Sequence, residues 1–359
     1  MKLGILTFHS AHNYGAVLQA FGLQEYLRSR GHDALIIDYR PGYITNCYPK
    51  DGSAFWKNSN LTECAKGLYN YYVHSNIRHR RWDNFEQFIS SQLNLYPYRA
   101  GMDFHDFDAV FIGSDQVWSK AHTGGHYDPM FFGEGFKCKV IPYAPSCTSL
   151  SLNDEDKALF KQHLDQMAAV SVREYKMKGV LQPLTKKEIT VVVDPSLLAG
   201  KECFDAIAAD VKTKRPYILI YEIIGHPEVY LAAKALAKKM DADIVELVNG
   251  MCPYHRSTMR EDASPEEFLG YIKHASCVLT SSFHGTAFSL MFNKPFYTIL
   301  QGNAVDNRMV SLLKALDMMD RTIALGDTPC VVRPLHETTA EKIKGLVKSS
   351  EGFIAESIG

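Results

Sequence analysis

The sequence predicts an α/β protein made of two parallel-sheet halves. Two observations carry this. Short apolar runs alternate along the chain with amphipathic stretches of helical length, which is the pattern of a parallel sheet covered by helices. Several of those runs end in small and polar residues, as strands do where they open onto a ligand crevice. The chain has 359 residues, which at about 150 residues per domain gives roughly two domains.

The elements follow in order. Residues 3–8 read as a strand, 9–13 as a polar loop and 14–30 as a helix with Val17, Leu18, Phe21 and Leu27 on its apolar face. Gly31 stands where a helix-ending glycine is expected, and residues 34–39 close a βαβ unit. Residues 43–98 read as a helical insertion with a mobile loop near 51–60. Within it, Arg78-His79-Arg80-Arg81 is a solvated helix face or a surface for a phosphorylated or lipid-linked molecule. Tyr69, Tyr71 and Tyr72 are core residues or a binding platform. Strands are predicted at 109–112, 140–143, 169–172 and 190–193. A charged connector follows at 198–214. The second half has strands at 217–221, 243–248, 277–280 and 296–300, with helices at 229–240, 265–273, 286–292 and 307–316. A last helix at 340–348 is expected to pack back across the halves. The expected division is 1–200, 201–335 and 336–359, with two Rossmann-like domains facing across a cleft, the architecture called GT-B.

Composition narrows the function. Lys and Arg number 39 against 40 Asp and Glu, for a formal net charge of -1, which excludes a globally basic nucleic-acid binder. Hydrophobic residues are 46% and charged residues 22%, values typical of a folded globular chain. No apolar run approaches the roughly 18 residues of a membrane span, and residues 1–8 read as a strand rather than a signal peptide. The eight cysteines, at 47, 64, 138, 147, 203, 252, 277 and 330, form no CxxC pair. They are expected as free thiols, which together with the N-terminus predicts a cytoplasmic protein.

Six segments could carry chemistry. Thr280-Ser281-Ser282-Phe283-His284-Gly285-Thr286 is a strand end, a hydroxyl-rich turn and a helix start. Free N–H groups and the helix dipole suit an anion there. His284 could donate to a phosphate or act as acid or base, and Gly285 would let a ligand approach the backbone. The alternative is that Ser281, Ser282 and Thr286 simply cap the helix. Arg173, in Val170-Ser171-Val172-Arg173-Glu174, suits carboxylate or phosphate recognition, or pairs with Glu174 at the surface. In Gly113-Ser114-Asp115-Gln116-Val117-Trp118, the polar residues Ser114, Asp115 and Gln116 suit hydroxyls, Asp115 suits a general base, and Trp118 offers a face to a sugar or belongs to the core. The loop holding Asn13, Tyr14 and Gly15 lacks both GxGxxG and GxxxxGK[ST], so a nicotinamide site and a P-loop are unsupported. Asp194-Pro195-Ser196 reads mainly as a turn or helix cap, and Arg308 lies near the cleft or on the surface. His122 and His126 flank Gly124-Gly125, so no helix aligns them and no metal site is expected.

Taken together, these segments resemble the polysaccharide pyruvyl transferase family. The matching pieces are Asn13-Tyr14-Gly15-Ala16-Val17-Leu18-Gln19, Phe111-Ile112-Gly113-Ser114-Asp115-Gln116-Val117-Trp118, Tyr143-Ala144-Pro145-Ser146, Ser171-Val172-Arg173-Glu174, Asp194-Pro195-Ser196-Leu197-Leu198, Ser282-Phe283-His284-Gly285-Thr286 and Asp306-Asn307-Arg308. They run in the family's order over nearly the whole chain. The resemblance implies transfer of a pyruvyl group from phosphoenolpyruvate to two hydroxyls of a sugar, which forms a cyclic ketal and releases phosphate. The acceptor would be a polysaccharide or its precursor, lipid-linked or free, handled at the inner face of the membrane. No cofactor beyond the donor substrate is implied. Arg173 and His284 match the family's donor-associated residues. Many members carry an arginine two residues before that histidine, where this chain has Ser282, which shifts the expected donor charge to Arg173, Arg308 or a lysine. The expected roles are acid for His284 and base for Asp115. Ser282, Gly285, Thr286 and Arg308 would complete the donor side, with Asn13, Tyr14, Gly15, Ser114, Gln116 and Trp118 on the acceptor side. The rival readings are a GT-B glycosyltransferase using a nucleotide sugar and a non-catalytic sugar- or anion-binding protein.

Overall fold

The computed structural model describes residues 1–48, 50, 61–102, 104–223, 225–248, 256–329 and 331–359, and of residues 61–74 the backbone alone. The loop expected at 51–60, the side chains of Tyr69, Tyr71 and Tyr72, and Cys64, Cys252 and Cys330 lie outside that description. The five cysteines described in side-chain detail are free thiols.

The first half contains β1 (Lys2–Leu6), α1 (Tyr14–Ser29), β2 (Asp33–Ile37), a short α2 (Gly42–Thr45), the long α3 (Leu61–Gln92), β3 (Leu95–Tyr96), β4 (Ala109–Ile112) and β5 (Lys139–Pro142). It continues with α4 (Asp154–Gln166), β6 (Val170–Val172), α5 (Tyr175–Leu181), β7 (Ile189–Val191), α6 (Pro195–Leu198) and α7 (Gly200–Asp205). The second half contains β8 (Tyr217–Glu222), α8 (Pro227–Met240), β9 (Asp243–Val248), β10 (Met259–Arg260), α9 (Pro265–His274), β11 (Cys277–Thr280), α10 (Phe283–Met291), β12 (Phe296–Leu300), α11 (Asp306–Ala315) and β13 (Thr322–Ala324). The last helix, α12, spans Thr339–Ile358.

Both main sheets are parallel. Their orders are β3-β2-β1-β4-β5 and β10-β9-β8-β11-β12-β13. Counted from the first strand of each half, these are 3-2-1-4-5 and 3-2-1-4-5-6, the Rossmann arrangement, so the chain has the expected two-Rossmann, GT-B-like form. The central strands β4, β8 and β11 are buried along their whole length, as sheets covered on both faces require. Strand order reverses beside β1 and beside β8, so the crevices lie at the carboxyl ends of β1/β4 and β8/β11.

Several expectations are corrected. The runs near 169–172 and 190–193 do not extend the first sheet; β6 and β7 form a separate two-stranded sheet. It is tied to β5 by the Ala168 N–H donating to the Val140 carbonyl at 2.8 Å. The second half also carries short edge strands β10 and β13 that no apolar run announced. Helix α10 begins at Phe283 rather than Thr286, which puts His284 and Gly285 inside its first turn. Helix α12 is longer than 340–348. It packs on the first half, with Ser350 Oγ accepting the Val193 N–H at 2.9 Å and Phe353 against Tyr143.

The two halves share one core. Helix α1 is buried on nearly every side, and its apolar residues pack with those of α6, α9, α10 and the inner faces of both sheets. Asn13 starts it by accepting the Gly15 N–H at 3.0 Å. Tyr14 then crosses to the second half, stacked on Phe268 at 4.6 Å, with its hydroxyl donating to the Ala263 carbonyl at 2.8 Å and accepting from Arg81 at 2.9 Å. Arg81 also donates to the carbonyls of Val248 and Glu261. The loop after β1 is held by His9 on Asp38 and His12 on Glu86, with Arg40 clamping both carboxylates. Tyr14→Phe removes a buried bridge and leaves the Ala263 carbonyl unpaired. It is expected to lower stability by about 1–3 kcal/mol in urea unfolding, and an unchanged midpoint would remove Tyr14 as a tie between the halves.

Candidate active site

Two strand ends and two helix starts converge on the carboxylate of Asp194. Asp194 precedes α6 and caps it, Oδ1 accepting the Ser196 N–H at 2.9 Å and the Ser196 hydroxyl at 2.7 Å. Arg173, just past β6, donates from Nη1 to Asp194 Oδ2 at 2.6 Å. Ser114, just past β4, lies 3.0 Å from the same oxygen. His284 Nε2 comes from the second half to 3.7 Å, an ion-pair rather than a hydrogen-bond distance. Burial alone would raise the Asp194 pKa, but His284, Arg173 and the Ser196 N–H outweigh it and hold the carboxyl well below its ordinary range.

Arg173 is fixed on all sides but one. Nε donates to Glu174 Oε1 at 3.0 Å, and the guanidinium carbon lies 4.2 Å from the centre of the Phe283 ring. Glu174 is held in turn by the Ser146 hydroxyl at 2.7 Å. With both carboxylates committed to it, Arg173 stays charged despite burial. Nη2 has no hydrogen-bond partner among the described residues.

Arg308 approaches from the first turn of α11. Asp306 sets up that turn by accepting the backbone N–H groups of Gln301, Gly302 and Asn303. Arg308 is buried and forms no ion pair among the described residues, and its Nε is unpartnered. Burial and the nearby Arg173 push its pKa down, while Asp115, Glu174 and Asp194 offset part of that. Arg173, Asp194, Phe283 and Arg308 line a pocket of about 100 Å³ together with Leu312 and Leu346.

The α10 turn is built by packing. Ser282 caps the helix, its Oγ accepting the Gly285 N–H at 3.5 Å. Thr286 is fully buried, its hydroxyl 2.9 Å from that of Thr298. A side chain on Gly285 would collide with Thr280, so its smallness serves helix–strand packing and not ligand approach. The same test shows why position 15 is glycine: the His284 imidazole occupies the space a side chain would need.

The predicted site residues therefore separate into two groups. Arg173, His284, Arg308 and Asp115 belong to one charged cluster; Asp115 has a left-handed φ of 69° and acts on both arginines. Gln116 sits at its edge, between Thr148 and His122. The others take structural places. Asn13 caps α1, Tyr14 joins the halves, Gly15 makes room for His284, and Ser114 is buried beneath Asp194. Trp118 is a correction: it is fully buried, its Nε1 donates to the Phe131 carbonyl at 2.8 Å, and it stacks on Phe132. It offers no face to a sugar. Asp194 and Glu174 are the residues sequence reasoning undervalued. A carboxylate just past a buried strand, with an arginine at the end of a neighbouring strand, was the available signal.

Asp194→Asn leaves the buried Arg173 with Glu174 as its one remaining carboxylate and is expected to cost about 3–5 kcal/mol at neutral pH. The native pKa of Asp194 is lowered, so its stabilising effect is present above the unfolded value of about 3.9 and is lost as pH falls toward the folded one. The gap between wild type and variant, followed by denaturant unfolding, should therefore shrink below that value. A gap independent of pH would contradict the ion pair.

The family model for polysaccharide pyruvyl transferase matches residues 13–303. No curated protein is matched by the sequence. Similar solved structures include an MnaA–UDP co-structure from S. aureus, 10% identical, covering 98% of this chain and 87% of that chain at a TM-score of 0.48. Another is a UDP-GlcNAc 2-epimerase from Neisseria meningitidis bound to UDP-GlcNAc, 13% identical, covering 99% of each chain at 0.47. The family match takes in Arg173, Asp194 and His284 and spans most of the chain; the protein belongs to the polysaccharide pyruvyl transferase family.

Proposed function

We propose that the protein moves a pyruvyl group from phosphoenolpyruvate onto two hydroxyls of a sugar in a polysaccharide or its precursor, forming a cyclic ketal and releasing phosphate. One observation carries the donor assignment. Arg173 Nη2, Arg308 Nε and His284 Nε2 are buried polar atoms without hydrogen-bond partners among the described residues; Arg173 and Arg308 line one small pocket with Asp194, and His284 stands 3.7 Å from the Asp194 carboxylate. Buried donors left open are costly unless a ligand completes them. A small anion with a carboxylate and a phosphate fits that need. Arg308 stands where charge is required in a chain that has Ser282 in place of the family's frequent arginine.

The chemistry follows from the donor. A proton from His284 adds to the methylene carbon while a sugar hydroxyl, relieved of its proton by Asp115, bonds to C2. The second hydroxyl then bonds to C2 as the carbon–oxygen bond to phosphate breaks, and its proton leaves with the phosphate. Two hydroxyl protons are lost, one reaches the new methyl group and one the phosphate. Nothing is oxidised or reduced overall, so the reaction itself calls for no redox cofactor. The buried arginines stabilise the charge passing to phosphate without reorganising. Among the described residues no helix is long and apolar enough to cross a membrane. We place the reaction in the cytoplasm, with an acceptor that is free or lipid-linked.

Thermal unfolding with phosphoenolpyruvate tests the donor. Ligand at about 100 times its dissociation constant adds roughly 2.7 kcal/mol. Arg308→Met removes an unpaired buried cation, so it is expected to raise the stability of the free protein by about 0.5–2 kcal/mol while abolishing the response to phosphoenolpyruvate. A response that survives in Arg308→Met, or a response to UDP-, GDP- or CMP-sugars instead, would overturn the assignment.

A further inference from the structure

At the carboxyl end of β8 a second polar cluster stands beside the α10 turn. Glu222, the last residue of the strand, is buried. Its carboxylate accepts from His226 Nδ1 at 2.8 Å and from the His226 backbone N–H at 3.3 Å, and the Ser281 hydroxyl lies 3.5 Å away. Tyr221 pairs with Thr280 across β8 and β11, so Glu222 lies next to Ser281, about 4.8 Å across the sheet. From there Ser281 and Ser282 lead directly to His284.

Capping of α8 explains the backbone contact but not the imidazole. A ring that donates from Nδ1 to a carboxylate keeps its lone pair on Nε2 in the neutral form. His226 Nε2 has no hydrogen-bond partner among the described residues, and the side chain is 22% exposed. Burial raises the Glu222 pKa while His226 works against it, so the imidazole is what makes a carboxylate tolerable there.

We propose that His226, held by Glu222, is a second acid–base group of the same cleft, serving a sugar hydroxyl. This rests on the transfer chemistry proposed above. That chemistry removes protons from two hydroxyls, and Asp115 lies on the first half only. His226 takes the proton of the second hydroxyl as its oxygen bonds to C2 and phosphate departs, then passes that proton to the phosphate. Asp115 returns the first proton to His284 through solvent, which restores the starting state. Glu222 is a positioning residue that fixes the tautomer.

The test is carbethoxylation of the full chain by diethyl pyrocarbonate at about pH 8, above the ordinary imidazole range, with each histidine followed by mass spectrometry. His226 is expected to react several times faster than His274, which is exposed and whose imidazole forms no hydrogen bond or ion pair among the described residues. Glu222→Gln should bring His226 down to the rate of His274, and saturating phosphoenolpyruvate should slow His226 and His284 together. The wild-type comparison needs no variant. A rate for His226 no greater than that of His274, or one untouched by Glu222→Gln in a folded variant, overturns the inference and leaves the donor reading standing. A fast, Glu222-dependent His226 with neither histidine protected overturns the donor reading and the hydroxyl role with it.

Discussion

The site depends on a single buried carboxylate. Asp194 receives a guanidinium, two serine hydroxyls and a backbone N–H, with an imidazole from the opposite half at ion-pair distance. Taking a carboxylate and an arginine out of water costs several kcal/mol each, recovered only when geometry and additional hydrogen bonds are good. Here those bonds come from β4, β6 and α6 together, so the ends of separate strands are held in one arrangement. The same bonds fix the arginine: locked by two carboxylates, it holds its one unpartnered nitrogen in a set direction.

The same logic joins the halves. Rossmann-like domains facing across a cleft can move apart, but α1 is packed into the core of both. Gly15 on α1 lets the His284 ring lie against the backbone, so the histidine of one half is seated by the other. Tyr14 and Arg81 reach the edge of the second sheet nearby. His284 is thereby placed by packing, while Arg308 is placed by the turn that Asp306 folds. Such support fixes both side chains before any ligand binds, which the proposed transfer would require.

Much of this was legible in the chain, for physical reasons that differ by element. Runs such as Ala109–Ile112, Cys277–Thr280 and Phe296–Leu300 are apolar on both faces and bounded by polar turns, which only a buried parallel strand needs. The edge strands Met259–Arg260 and Thr322–Ala324 are too short to leave a periodic signal. Gly285 hid the start of α10, since glycine weakens a helix, and the true cap was Ser282. Trp118 shows another limit: beside polar residues it resembles a sugar platform, and only the third dimension reveals Phe132 and Phe160 around it. Arg173, His284, Arg308 and Asp115, which the structure brings into one cluster, were legible because each follows a strand or opens a helix at the crevice. Asp194 was undervalued because a cap and a site carboxylate look alike in sequence, and here one residue is both.

A crystal structure of the protein with phosphoenolpyruvate tests the central claim most directly. The account predicts the ligand's phosphate and carboxylate oxygens within hydrogen-bond distance of Arg173 Nη2, Arg308 Nε and His284 Nε2, with the Asp194–Arg173 pair unbroken. An anion bound elsewhere, with those three nitrogens satisfied by water or by protein groups alone, would contradict it.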